Sequence, residues 1–198
     1  TKLFDTEPST KNQKDLERIV LENNAYNDRL NIIESFVRNG KGLDLNSDLG
    51  IFSSLASTRN WNITSLESNP LKAKRITELH DLEVKNTTFE KLKTNEKYDL
   101  ITIWENLEKN VNFLNNIEKI NSLLNTNGIF ALSFHSNNNH IAKSLGKNYP
   151  LWYYPDYLYF FDSNLLKDEI EKRGFKLIST QLVSRKYLAN TEFYFQKI

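Results

Sequence analysis

Between Gly42 and Phe134, short apolar runs bounded by turn residues alternate with stretches whose apolar residues recur at helical spacing. This alternation constrains the fold most, because strands separated by helices have room for parallel crossovers, and a parallel sheet must be covered on both faces. The pattern predicts strands over Gly42–Leu45, Asn62–Leu66, Leu82–Lys85, Tyr98–Trp104 and Ile129–Phe134. It predicts helices over Ile51–Arg59, Pro70–His80 and Val111–Leu124, with Pro70 suited to a first helical turn, where its missing N–H costs nothing. The last of these helices closes in the turn Asn125-Thr126-Asn127-Gly128. Upstream, Lys11–Asn39 carries Leu16, Ile19, Val20, Leu30, Ile33 and Phe36 at near-helical spacing, so residues 1–40 read as an N-terminal helical segment.

Downstream, Leu165–Arg173 reads as a helix with Gly174 as its stop, followed by strands Phe175–Val183 and Glu192–Gln196. The connection between those strands is too short for a parallel crossover, so they should pair antiparallel. The expectation is an α/β fold of about seven strands, the first five parallel and the last two a hairpin, with helices on both faces. At 198 residues, 39% hydrophobic and 26% charged, the chain has the size of one domain with a proper core.

Composition also removes functions. The formal net charge is +1 with Lys and Arg spread along the chain, so no nucleic-acid partner is expected. Cysteine is absent, which excludes disulfides, thiolate metal sites and thiol nucleophiles. The three histidines, His80, His135 and His140, would need carboxylate help to hold a metal, and no metal is expected. With no signal peptide and no long apolar run, no membrane span is expected and a cytoplasmic location is the default. There is no methionine, even at position 1, so the chain is read as part of a longer product.

The segment Gly42-Leu-Asp-Leu-Asn-Ser-Asp-Leu-Gly50 carries the main functional signal. A strand ending in an acid and breaking into a tight turn before a helix brings backbone N–H groups toward a ligand at the helix N-terminus. It resembles motif I of the class I S-adenosylmethionine-dependent methyltransferases, Asp-hydrophobic-Gly-x-Gly-x-Gly, with Asp44 and Gly50 in place but Asn46 and Asp48 at two glycine positions. Asn and Asp are the non-glycine residues that best tolerate a left-handed backbone, so the turn can still form. A carboxylate at Asp48 stands where backbone approaches the methionyl and ribose parts of the cofactor. It would block the pocket, repel the cofactor carboxylate or hydrogen-bond its ammonium group.

Further segments extend the resemblance over most of the chain and imply a Rossmann-like methyltransferase fold. Glu67, followed by Ser68, closes the second strand, where the family's acid accepts both hydrogen bonds of a ribose diol; otherwise it is a solvent-facing acid at a helix start. Thr88-Phe89-Glu90 is similar to the segment that lines the adenine, although Phe89 equally suits ordinary packing. Tyr98 to Lys109 matches the motif after strand four, including Leu107-Glu108, with Lys109 where members commonly have histidine. Trp104 and Glu105 fall at the carboxyl end of that strand, where open parallel sheets bind ligands.

Residues 136–161 read as an irregular acceptor-side insertion. Pro155-Asp156-Tyr157-Leu158-Tyr159-Phe160-Phe161 resembles a family Pro-Glu-His-Leu-Tyr-Phe-Phe segment, with Tyr157 replacing histidine. His135 and Tyr157 are the candidate catalytic groups, and His140, Trp152 and Tyr154 the candidate acceptor contacts. The resemblance implies methyl transfer from S-adenosylmethionine to a small acceptor. The departures at Asn46, Asp48, Lys109 and Tyr157 suit an alternative, a catalytically inactive methyltransferase-like domain serving as a binding or partner module. A nicotinamide-dependent oxidoreductase fits less well, because its Gly-x-Gly-x-x-Gly fingerprint is missing.

Overall fold

The computed structural model describes residues 23–109, 112–155, 157–185 and 188–198. The predicted helical residues before 23, the expected helix start at Val111, and Asp156 of the aromatic segment lie outside them. The strands are β1 (Lys41–Leu45), β2 (Asn62–Leu66), β3 (Glu83–Lys85), β4 (Tyr98–Ile103), β5 (Leu124–Phe134), β6 (Phe175–Arg185) and β7 (Leu188–Lys197). The helices are α1 (residues 23–34), α2 (Ile51–Thr58), α3 (Pro70–His80), α4 (Phe113–Leu123), α5 (His140–Leu145) and α6 (Ser163–Glu171).

The strands form one sheet in the order β3-β2-β1-β4-β5-β7-β6. All pairings among β1 to β5 are parallel, and β7 enters antiparallel between β5 and β6. Alternate residues of the central strands feed two cores, as expected of strands buried on both faces. Ile101, Ile103, Phe130 and Leu132 pack with Phe113, Ile117 and Ile120 of α4 and with Leu166 and Ile170 of α6. Leu100, Ile129 and Ala131 face the other way, toward Leu30 and Ile33 of α1, Phe52 of α2 and Ile76 of α3.

Local chemistry sets the helix ends. Asn69 caps α3 by accepting from the N–H groups of Leu71 and Lys72, and Pro70 occupies the first turn. Asp162 caps α6 from the N–H groups of Asn164 and Leu165, so this helix starts two residues before its first apolar residue. Gly174, at φ 83°, provides the left-handed stop before β6.

Three expectations are corrected. Residues 125–128 do not end a helix before a strand: β5 already pairs at Leu124 with Tyr98, and these residues loop out before pairing resumes at Ile129 with Leu100. Trp104 lies past the end of β4, because Glu105 at φ 54° turns the chain out of the sheet. The section after β5 is not wholly irregular; Asn139 caps the short helix α5 through the Ala142 N–H.

Candidate functional site

The turn from β1 to α2 adopts the backbone of a glycine turn without its glycines. Asn46, Asp48 and Gly50 have φ of 55°, 52° and 72°, so all three positions are left-handed. Below the turn, Asp44 is buried and accepts hydrogen bonds from Ser53 Oγ and Thr102 Oγ1, both at 2.8 Å. Burial pushes its carboxyl up to about 6, against the lowering effect of those hydroxyls.

Gly50 serves packing: a Cβ there would lie 2.7 Å from Ile76 Cγ2 and 3.4 Å from His80 Cδ2. Its missing side chain lets α3 close onto the start of α2. Helix α2 has no side-chain cap, so N–H groups of its first turn stay directed at the space above the turn.

Glu67 ties the turn to the sheet. Its carboxylate accepts from the N–H of Asp48 at 3.0 Å and of Asn69 at 2.7 Å, and its carbonyl accepts from Asn86 Nδ2 at 2.8 Å. The Asp48 side chain is half exposed and pairs with Lys72 of α3.

Three cavities adjoin at the carboxyl ends of the central strands. The first, of about 370 Å³, is walled by Asp44, Asn46, Phe52, Lys72 and Trp104 among others. It shares Asn46, Asn106 and Lys109 with a second, of about 400 Å³, that reaches Thr88 and Glu90. It shares Glu105 and Tyr154 with a third, of about 240 Å³, lined by His135, Leu151, Tyr157, Val183 and Asn190.

In the third cavity, His135 Nδ1 lies 3.1 Å from Glu108 Oε1 and 3.3 Å from the Tyr157 hydroxyl. The Glu108 oxygen also accepts the backbone N–H of His135, and the Glu108 side chain is fully buried. The Glu108 carbonyl accepts from the N–H of Leu158 at 2.9 Å, which pins the aromatic segment to the turn after β4. Burial and the nearby Glu108 charge hold the Tyr157 phenol well above its ordinary range, so it stays neutral.

Behind Trp104 lies a buried ionic network. Arg29 of α1 bonds Glu192 at 2.8 Å through Nε and stacks its guanidinium 4.4 Å from the Trp104 ring centroid. Tyr194 donates to the other Glu192 oxygen at 2.8 Å. Burial opposes the Arg29 charge, but Glu192 and Glu105 more than offset this and raise its pKa.

Of the residues singled out from the sequence, Asp44, Asn46, Asp48, Thr88, Trp104, Glu105 and Tyr154 line these cavities, and His135 and Tyr157 meet in one of them. Glu67 stands behind the turn, and Ser68 is exposed beside it. Phe89 is buried in the core, with Lys119 Nζ 4.7 Å from its ring centroid. His140 is exposed at the start of α5. Trp152 packs against Tyr149 and Phe160 while its Nε1 donates to the Gly146 carbonyl at 2.8 Å.

Sequence reasoning passed over Glu108 as half of a motif pair, and it missed Arg29, Lys72 and Asn190. Their partners lie far along the chain, 163 residues away for Arg29 and Glu192, so no local pattern marks them.

Residues 12–180 match the family described as "Methyltransferase domain". No curated protein sequence matches the chain. Among solved structures, magnesium protoporphyrin IX methyltransferase from Synechocystis PCC 6803 with bound S-adenosylhomocysteine is similar at a TM-score of 0.75. It is 13% identical, and the match covers 98% of this chain and 90% of that one. N-methyltransferase NodS from Bradyrhizobium japonicum WM9 is similar at a TM-score of 0.68 and 13% identity, covering 89% of this chain and 96% of that one. For 1,6-didemethyltoxoflavin-N1-methyltransferase from Burkholderia thailandensis, the TM-score is 0.66 at 15% identity, with 98% of this chain and 92% of that one covered.

Proposed function

The chain belongs to the methyltransferase-domain family of class I, S-adenosylmethionine-dependent enzymes, and on that premise we propose that it methylates a small-molecule acceptor. In this reading the methyl donor lies along the β1–α2 turn and the acceptor lies against His135, Tyr157 and Tyr154. One observation carries it: the cavity above the turn and the cavity at His135 meet at Glu105 and Tyr154. A donor in one and an acceptor in the other would face each other across that junction.

The residues present fit S-adenosylmethionine. The uncapped first turn of α2 suits a carboxylate, and Ile51 and Phe52 of that turn reach the cavity wall. Tyr26, Phe52, Trp104 and Tyr154 give the same cavity aromatic faces, which suit a sulfonium cation. Asn46, Thr88 and Asn106 supply polar groups where the cavity continues toward the end of β3, as an adenine requires. When bound, S-adenosylmethionine supplies an electrophilic methyl group.

The chain's own contribution is proximity and alignment, which can supply most of the barrier reduction for an in-line displacement. Glu67 holds the turn in shape through two N–H groups, and the Glu108 carbonyl holds the aromatic segment over the acceptor cavity.

A second reading, a methyltransferase-like domain that binds a partner without catalysis, is favoured by the Asp48–Lys72 ion pair. That pair places two charged side chains at the wall of the cavity where the family has a glycine. Calorimetric titration with S-adenosylmethionine and S-adenosylhomocysteine, beside an Asp48→Gly variant, separates the two. Binding by the unmodified chain is the expected result. Binding by the variant alone would mean that Asp48 closed the site and would favour the second reading. Absence of binding by both would remove the methyl-transfer reading altogether.

A further inference from the structure

Behind the acceptor cavity a buried carboxylate holds an imidazole of the cavity wall, a pairing that methyl transfer to an already nucleophilic amine would not need. We infer that Glu108 holds His135 as the general base for a hydroxyl acceptor, a phenol whose ring is seated between Leu151, Tyr154 and Val183. The inference rests on the methyl-transfer reading above.

Glu108 Oε1 accepts the His135 backbone N–H, so it acts as acceptor toward Nδ1, 3.1 Å away, as well. The imidazole proton therefore sits on Nδ1, and Nε2 keeps its lone pair. Glu108 Oε2 is buried with no hydrogen-bond partner among the described residues. A buried carboxylate left short of donors gains most when its neighbour becomes positive, which is what happens when His135 accepts a proton. Glu108 is accordingly a positioning residue, and His135 the catalytic one.

Tyr157 does not compete as a base, since burial and the Glu108 charge keep its phenol protonated. Its hydroxyl lies 3.3 Å from Nδ1, on the Glu108 edge of the imidazole, and leaves the Nε2 edge to the acceptor.

The rest of the cavity describes the acceptor. Leu151, Val183 and Tyr154 give it apolar and aromatic walls, and about 240 Å³ suits a single substituted ring. Asn190 donates through Nδ2 to Glu105 at 3.2 Å, which fixes its amide in the cavity wall. In the transfer, the acceptor O–H bond breaks and its proton passes to His135 Nε2. The electron pair left on oxygen forms the new O–CH3 bond, as the S–CH3 bond of the methyl donor breaks with its electrons kept on sulfur.

Two measurements on the full chain test this. Nitrogen-15 NMR of histidine-labelled protein, assigned with His135→Asn, should show the His135 proton on Nδ1, and Glu108→Leu should shift it toward Nε2. A proton on Nε2 in the unmodified chain, whether or not the variant folds, would overturn the dyad. The second measurement follows S-adenosylhomocysteine release with dihydroxybenzenes and with benzylamine. Dihydroxybenzenes should be methylated, and His135→Asn should lower kcat on the order of 100-fold with cofactor affinity unchanged by calorimetry. Glu108→Gln should lower kcat without changing KM for the ring. Preference for benzylamine, unchanged kcat in His135→Asn, or no ring methylated while the cofactor binds would each sink the acceptor assignment. Loss of cofactor binding would instead show up in calorimetry as failure of the methyl-transfer reading, with the tautomer still reporting on the dyad.

Discussion

The N–H of Asp48 donates to Glu67 Oε2 at 3.0 Å, joining the middle of the β1–α2 turn to the end of β2. The other carboxylate oxygen takes the N–H of Asn69 at 2.7 Å. Glu67→Ala would leave two backbone donors without their charged acceptor. Hydrogen bonds to charged groups contribute about 1.5–3 kcal/mol each, so the loss should approach about 3 kcal/mol after water replaces part of it. Glu67→Gln keeps one acceptor oxygen and should recover roughly half. Urea unfolding of the three proteins checks this, and equal stability of Glu67→Ala and the unmodified chain would show that water replaces the carboxylate fully.

Gly50 and Asn46 share a left-handed backbone, yet substitutions should act on them differently. Gly50→Ala meets Ile76 Cγ2 at 2.7 Å and must also hold a φ of 72°. Overpacking and backbone strain together should cost about 2–4 kcal/mol. Asn46→Gly removes a strained residue at φ 55° and should be neutral or stabilising by up to about 1 kcal/mol. Denaturant midpoints for the pair provide the comparison; a tolerated Gly50→Ala would mean that α3 can shift away from α2.

How far the sequence reaches follows from which interactions are local. The central strands are legible because burial on both faces leaves an apolar run, as in Leu100 to Ile103. The left-handed turn is legible because Asn46 and Asp48 are side chains that tolerate it. The loop-out at residues 125–128 is not, since its Asn-Thr-Asn-Gly composition is the same whether it ends a helix or interrupts a strand. Phe89 equally suited a ring cover or the core, and the choice depends on α4, whose Lys119 caps the carbonyls of Phe89 and Leu92. The Glu108–His135 contact spans 27 residues and exists only because β4 and β5 are neighbours.

Asp44 gives stability a pH dependence with a definite sign. Its carboxyl is raised to about 6 in the folded chain, against about 3.9 for an exposed aspartate, so the folded state binds more protons between those values. Its contribution is therefore fully present below about pH 4 and is lost as pH rises through about 6, by about 2–3 kcal/mol in all. Asp44→Asn stays neutral and lacks this component. The unfolding free energy of the variant relative to the unmodified chain should rise by that amount between pH 4 and 7, measured by urea unfolding in a pH series. A difference flat with pH would mean that Asp44 titrates as an exposed aspartate does.

Arg29 and Glu192 make the costliest pair to break singly. Both side chains are 3% exposed, with guanidinium and carboxylate 2.7 Å apart at their closest, and Tyr194 donates to the second carboxylate oxygen. Arg29→Met would leave a buried, uncompensated Glu192 and should cost about 3–5 kcal/mol, most of it the isolated charge and not the lost attraction. Adding Glu192→Gln removes that charge, so the double variant should be more stable than Arg29→Met alone. A double-mutant cycle by urea unfolding reads the difference directly. The same helix carries Tyr26 to the wall of the cavity above the turn, and the Arg29 guanidinium stacks on Trp104 across that wall. Cofactor affinity should therefore fall in Arg29→Met and remain low in the double variant, because restoring charge balance does not restore the stacked contact. If affinity instead returned together with stability, Arg29 would act on the cavity only through the fold.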